Sequence, residues 1–368
     1  MLKEAIQKAS ILSKKIKRLP PDKFYSRLKL GIKKEFINSP QYITLQTVSA
    51  CNLGCKHCFI NNYGTEIEDG QIRIMKMAEF NKILGRIEAI VKHAEYFTFS
   101  SFEALLNKHL FEMMDKILAI NPKIQFPFLT NTMILDEEKI KKLERYPVSE
   151  IGVSLDGKSK EVVESFKTGV DYDKLIGALK LLGRSSLKDR IAVTFVAHTN
   201  NIHELPEYVD FVNEMGIKLI YVSNLLSFTK NNAADVLYSE KGNDEAQALF
   251  NEAIKRAIKN KQTIQLPELK PVLKGCQACE TFFIDTNGNV APCDFLAVST
   301  PFTMFGTTVK NPPQIFGNVL FDDPLSIYRS EAYTAFRTAH RLGKELPYVC
   351  KNCIDGYGLM CSNRKVYA

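Results

Sequence analysis

The run Tyr42-Ile43-Thr44-Leu45-Gln46-Thr47-Val48-Ser49-Ala50-Cys51-Asn52-Leu53-Gly54-Cys55-Lys56-His57-Cys58 sets three cysteines directly after an apolar, β-branched stretch. Their spacing is C-x3-C-x2-C, with no fourth cysteine on the same loop. Soft sulfur ligands select zinc or iron–sulfur clusters. A structural zinc site closes with four protein ligands, whereas three leave one metal position open to a small molecule. The expectation from these residues is an open-cornered metal site at the end of a strand, with zinc and reactive-thiol chemistry as alternatives.

Outward from this loop, short β-branched or aromatic runs alternate with helix-like segments. The candidate strands are Tyr42–Val48, Tyr96–Phe99, Ile124–Leu129, Glu150–Leu155, Arg190–Val196 and Lys218–Val222. The clearest helices fall near Met77–His93, Lys108–Ile120, Asp136–Arg145, Tyr172–Leu182 and Ile202–Met215. Repeated β-α units require parallel strands joined by right-handed crossovers. Met75, Met77, Met113 and Met114 read as core filler.

The cysteine run resembles the cluster loop of the radical S-adenosylmethionine (radical SAM) enzymes. In that family three cysteines hold three irons of a 4Fe–4S cluster, and the fourth iron chelates the amino and carboxylate groups of S-adenosylmethionine. His57 occupies the position before the last cysteine, commonly aromatic and near the adenine; alone it would read as an ordinary loop histidine. The resemblance implies an α/β fold: an open, partial (β/α)6 TIM-type barrel with its active-site groups on loops at the C-terminal ends of the strands.

It also implies roles for residues further along. Phe99-Ser100-Ser101-Phe102-Glu103-Ala104-Leu105-Leu106-Asn107 stands where the family carries a Gly-Gly-Glu-Pro-like turn that holds the methionine amino group. Glu103 and the following Leu-Leu-Asn match; the glycines and the proline do not. The other reading of Glu103 is a carboxylate favoured at a helix N-terminus. Ile151-Gly152-Val153-Ser154-Leu155-Asp156-Gly157 resembles the fourth strand, which places Ser154 and Asp156 near the ribose and carboxylate of the ligand. Thr130-Asn131 matches the start of the family's Thr-Asn-Gly and adds Asn131. Each of these polar groups could equally serve as a strand-end cap.

Six further cysteines, Cys276, Cys279, Cys293, Cys350, Cys353 and Cys361, read C-x2-C-x13-C and then C-x2-C-x7-C. Between the first of them, Phe282 to Cys293 has hairpin character, with Asn287-Gly288 as the turn. Gly288 and Cys293 resemble the G-x4-C element of the SPASM and twitch auxiliary-cluster extensions of radical SAM enzymes. The order of Gly317-Asn318-Val319, Asp322 to Arg337 and Cys350-Lys351-Asn352-Cys353 resembles theirs too. The full SPASM form continues C-x2-C-x5-C-x3-C, and no cysteine follows Cys361. One auxiliary 4Fe–4S cluster on four of the six thiolates is the expectation, with a zinc ribbon as its rival. Asp285 to Asn289 lacks the spacing of a calcium loop and reads as a turn.

The 368 residues have room for one large core and a smaller module. Their 45% apolar and 24% charged content is that of a globular chain. The expected division is a basic helical extension over 1–40, the barrel over 41–262 and the cysteine-rich module over 263–368. Ile6, Ala9, Ile16 and Leu19 line one side of the extension, among lysines that supply much of the net charge of +8. A solvated helix packed on the barrel explains this better than a membrane or RNA contact. No apolar run reaches the roughly 20 residues of a membrane helix, and the N-terminus does not resemble a secretory signal. Nine cysteines without an export signal favour metal binding over disulfides, and a cytoplasmic location is expected.

The resemblance implies reductive cleavage of S-adenosylmethionine to a 5′-deoxyadenosyl radical that abstracts hydrogen from an unactivated carbon. An electron donor such as flavodoxin or ferredoxin is implied with it. For the substrate, the extension before Tyr42 is expected to be too short for a leader-binding domain. That favours a small molecule, a sugar or nucleotide-linked group, over a peptide. The alternative of another class is a non-catalytic zinc or iron–sulfur module contacting RNA through the basic extension.

Overall fold

The computed structural model describes residues 38–58, 73–99, 102–228, 232–360 and 365–368. Residues 1–37 of the basic extension, Ser100, Ser101 and Cys361 lie outside the described residues.

The chain opens with β1 (Tyr42–Leu45), α1 (Met77–Val91), β2 (Tyr96–Thr98), α2 (Leu110–Ile120), β3 (Phe126–Thr130), α3 (Glu137–Leu143) and β4 (Val148–Ser154). There follow α4 (Lys160–Phe166), α5 (Tyr172–Gly183), β5 (Ile191–Ala197), α6 (Leu205–Glu214), β6 (Leu219–Asn224), α7 (Asp244–Lys259) and β7 (Thr263–Leu266). The cysteine-rich part contains β8 (Thr281–Ile284), β9 (Asn289–Ala291), β10 (Thr300–Met304), β11 (Thr307–Asn311), β12 (Gly317–Asn318), α8 (Pro324–Arg329), α9 (Glu331–Leu342) and β13 (Lys365–Tyr367).

Strands β1 and β2 pair in parallel, as do β3 to β6 in sequence order. A parallel bridge from Tyr96 to Gln125 joins β2 to the approach of β3. The arc is the partial barrel expected from the sequence. Strand β5 is buried on both faces, as in parallel sheets covered by helices; Ile191, Ala192, Val193, Phe195 and Ala197 are all buried. The helices supply the covering layer at three- and four-residue spacing, with Phe80, Ile83, Leu84, Ile87 and Ile90 on the inner face of α1. Met75, Met113 and Met114 are core residues, and Met77 packs against them.

Both ends of the arc are extended, by a strand the pattern did not reveal (β7) and by the first strand of the expected hairpin (β8). β7 continues it in parallel beside β6, and β8 lies parallel to β1 at the other end. Among the described residues β7 and β8 do not pair, so the barrel stays open. The expected boundary at 262/263 therefore falls just before a strand that belongs to the barrel sheet. β13 covers the free edge of β7 in antiparallel, and the β8–β9 hairpin carries β12 on its far side. Gly288 turns that hairpin with φ of +84°, a conformation that favours glycine. Asp285 Oδ1 accepts from the Asn287 and Asn289 N–H groups, as the turn reading expected. A second core of Leu226, Phe228, Tyr238, Phe302, Ile354 and Leu359 packs the loop after β6 against the C-terminal module.

Candidate functional site

Residues Cys51 to Cys58 leave the C-terminal end of β1 and are strapped to the chain that follows α4. The Gly54 N–H donates to Thr168 O at 2.8 Å and the Lys56 N–H to Phe166 O at 3.1 Å. The Asn232 amide donates to Lys56 O at 3.1 Å. Cys51, Cys55 and Cys58 are half-buried on this loop. Burial pushes the Cys55 thiol up to about 12, opposed by Lys167 and reinforced by Asp156, Cys58 and Cys51. Burial raises Cys51 as well, against hydrogen bonds from Leu53 and Asn131. Burial thus favours the neutral thiol at Cys51 and Cys55, and bound metal charge is what would draw off their protons.

Glu103 follows β2 and opens a short turn, Ala104–Leu106, that Asn107 staples to the barrel through Thr47 O and Met75 O. Its carboxylate is only 2% exposed. It accepts from the Thr130 hydroxyl at 3.1 Å and from the Asn131 N–H at 2.8 Å. The Asn131 amide in turn donates to Cys51 Sγ at 3.3 Å and to Asn52 Oδ1 at 2.8 Å. Three strand ends therefore converge on Cys51. Burial lifts Glu103 to about 7, although the Asn131 and Thr130 hydrogen bonds pull the other way. A cationic group of a ligand would relieve that cost.

Ser154 and Asp156 both meet Lys167. Lys167 Nζ lies 2.6 Å from both Ser154 O and Ser154 Oγ, and 3.0 Å from Asp156 Oδ2. The Asp156 and Lys167 side chains are each 2% exposed. Asp156 Oδ1 also accepts from the Val196 N–H at 2.8 Å. Burial alone would raise Asp156, but Lys167, His57 and these hydrogen bonds hold it below the usual carboxylate range. His57 stacks on Phe166 at 4.9 Å, and Phe166 stacks on His198 at 3.8 Å. Burial drives His57 down to about 4, so its ring is neutral at physiological pH.

The second group of cysteines converges on one cavity. Cys276, Cys279, Cys293, Cys350 and Cys353 line it, with apolar walls from Phe295, Leu296, Phe302 and Phe336. His340 and Asp355 are the polar side chains beside the thiols. Cys276 Sγ lies 2.9 Å from Asp355 Oδ2. Burial raises the thiols of Cys276, Cys293 and Cys350, each further by neighbouring acidic groups. Among the described residues, no three His, Cys, Asp or Glu side chains are placed to hold a single metal ion. The five cysteines are the soft sulfur donors that zinc or an iron–sulfur cluster takes.

Sequence reasoning missed Lys167, Phe166, His198, His340 and Asp355. For His340 a signal existed: Tyr333, Phe336, Arg337 and His340 share the buried face of α9 at helical spacing. Lys167 carries none, since its pairing with Asp156 is set by tertiary geometry alone.

A parallel α/β barrel with three open-cornered cysteines after its first strand, and a thiol-lined module on its edge, defines a class of cluster-dependent enzymes. The radical SAM superfamily profile matches residues 45–212, and that of an iron–sulfur cluster-binding domain, SPASM, matches residues 276–354. The chain belongs to the radical SAM enzymes with a SPASM domain. Its cofactors are S-adenosylmethionine, a 4Fe–4S cluster that binds it, and auxiliary iron–sulfur clusters. It is 26% identical over 307 residues to the tungsten-containing aldehyde ferredoxin oxidoreductase cofactor-modifying protein of Pyrococcus furiosus, across 81% of this chain and 83% of that one. Likeness to the mycofactocin maturase MftC of Mycobacterium tuberculosis is 21% over 183 residues, half of this chain and 44% of the relative. The structure of anSMEcpe with bound AdoMet and Cp18Cys peptide shares the fold at a TM-score of 0.59 and 19% identity, over 87% of this chain and 88% of that one. Among the described residues no helix is long and apolar enough to cross a membrane.

Proposed function

We propose that this chain is a maturase-type radical SAM enzyme that modifies a peptide or a peptide-sized cofactor precursor. The observation that carries the reading is the junction of Cys51, Asn131 and Glu103 at three neighbouring strand ends, paired with a separate five-cysteine cavity. When bound, the first cluster and S-adenosylmethionine would supply the radical chemistry for hydrogen abstraction from a substrate carbon.

The chain's own residues position that chemistry. Cys51, Cys55 and Cys58 hold the first cluster. Glu103, buried and short of a cation, takes the ligand's ammonium group, and Asn131 orients both Glu103 and Cys51. His57, neutral and backed by Phe166, offers a flat apolar face to the adenine. Ser154 and Asp156 act from beneath, by fixing Lys167 under the loop to which its neighbour Thr168 is strapped. Cys276, Cys279, Cys293, Cys350, Cys353 and Cys361 are the donors of the auxiliary module, one 4Fe–4S cluster taking four of them. An external one-electron donor of the flavodoxin or ferredoxin type completes the cycle.

The named relatives, a maturase and a cofactor-modifying protein, and the fold shared with a peptide-bound enzyme move the substrate from the sugar or nucleotide-linked group expected from the sequence toward a peptide. The test is anaerobic reconstitution followed by dithionite-driven turnover with peptides encoded beside the gene. Formation of 5′-deoxyadenosine together with a peptide mass change supports the reading. Substrate-dependent turnover confined to sugars or nucleotides would overturn it.

A further inference from the structure

The auxiliary cavity holds a histidine that no part of the reaction has claimed. His340 is 4% exposed on α9 and lines the cavity with Cys276, Cys279, Cys293, Cys350 and Cys353. The backbone N–H of Cys276 donates to His340 Nδ1 at 3.0 Å. A ring nitrogen that accepts a hydrogen bond carries no proton, so this imidazole is neutral and its proton sits on Nε2. His340 Nε2 is buried and has no hydrogen-bond partner. A buried N–H donor without an acceptor is costly unless something bound there accepts it.

The ring is also held in place. Gly275 has φ of +75°, and a Cβ there would lie 2.0 Å from the His340 carbonyl oxygen. Gly343 ends α9 with φ of +60°, and a Cβ there would lie 2.9 Å from Lys274 O. Two glycines thus let the Lys274–Cys276 segment and the end of α9 meet backbone to backbone. His340 is fixed relative to Cys276 at a separation no other residue type would allow.

We propose that His340 donates its Nε2–H to a sulfur of the auxiliary cluster, as a positioning and potential-tuning residue that is not itself an iron ligand. Ligation through Nε2 would need that proton removed while Nδ1 still accepts from Cys276, an imidazolate, whereas donation needs no change of protonation. A hydrogen bond to cluster sulfur stabilises the more negative, reduced state and raises the reduction potential. The inference rests on the auxiliary-cluster reading.

The test uses the full chain with Cys51, Cys55 and Cys58 changed to Ala, so that only the auxiliary cluster contributes signal. Pulsed EPR of the reduced cluster, with 15N-labelled histidine, is expected to show one weakly coupled nitrogen and one exchangeable proton beside the cluster. In a redox titration, His340→Leu is expected to shift the reduction equilibrium about tenfold toward the oxidised form, about 59 mV for one electron. His340→Gln, which keeps an N–H, should recover part of that shift. A directly bonded, strongly coupled nitrogen would overturn the donor assignment, and so would no histidine coupling at all. An unchanged potential in a loaded His340→Leu protein would overturn it too, and if that variant loads no iron the labelled His340 protein decides. Absence of iron and sulfide from the His340-containing protein would instead defeat the cluster reading beneath it.

Discussion

Glu103→Gln is expected to make the ligand-free protein more stable above neutral pH and its grip on S-adenosylmethionine weaker. Burial raises the Glu103 carboxyl from 4.5 to about 7 in the folded chain. The unfolded chain keeps the ordinary value. Because the folded value is the higher one, Glu103 favours the fold most below about 4.5, and that contribution is lost as pH rises through about 7. At 1.36 kcal/mol per pKa unit the loss is about 3 kcal/mol. Glutamine stays neutral throughout, so the variant should gain on the wild type by up to that amount between pH 5 and pH 8.

Binding should move the other way. A hydrogen bond between the carboxylate and the ligand's ammonium group is worth about 1.5–3 kcal/mol. Its loss weakens S-adenosylmethionine roughly ten- to a hundredfold. Urea unfolding of the cluster-loaded, ligand-free protein at several pH values gives the first quantity, and anaerobic calorimetry gives the second. A carboxylate that only caps a turn would behave differently: glutamine would destabilise the protein and leave the affinity unchanged. That pair of results would refute the role given to Glu103.

The barrel was legible because its signals are local and repeated. All six expected strands and all five expected helices are present, with ends displaced by a few residues. β1 stops at Leu45, before the expected Val48, because Thr47 instead gives its N–H to Phe99 O and Ser49 gives its own to Arg73 O. β7 escaped notice because Thr263-Ile264-Gln265-Leu266 is four residues long, and only the register beside β6 makes it a barrel strand. The cysteines announced themselves by spacing. Lys167 did not, since its pairing with Asp156 depends on how the chain after α4 folds back on the end of β4, and the helical spacing of His340 announces burial but not the cavity, which several segments assemble. Asp156 pairs with a buried lysine that no local pattern announces.

Changing Cys51, Cys55 and Cys58 together to Ala should abolish dithionite-driven 5′-deoxyadenosine and leave about four irons per chain for one auxiliary 4Fe–4S cluster; zinc without sulfide would establish a ribbon instead. Gly275→Ala should cost more than about 1 kcal/mol, because alanine is strained at positive φ and its Cβ meets the His340 carbonyl oxygen. Iron analysis should then show the loss falling on the auxiliary site. Lys167→Met is expected to be the most damaging single change in the barrel. It strands Asp156, 2% exposed, without its cation, and breaking a buried pair from one side costs about 3–5 kcal/mol. Asp156→Asn added to Lys167→Met removes the orphaned charge while keeping an amide oxygen to accept from Val196, so the double variant should recover most of that loss in urea unfolding. If the two substitutions add instead of compensating, the pair is not held by charge, and Lys167 supports the cysteine loop by packing alone.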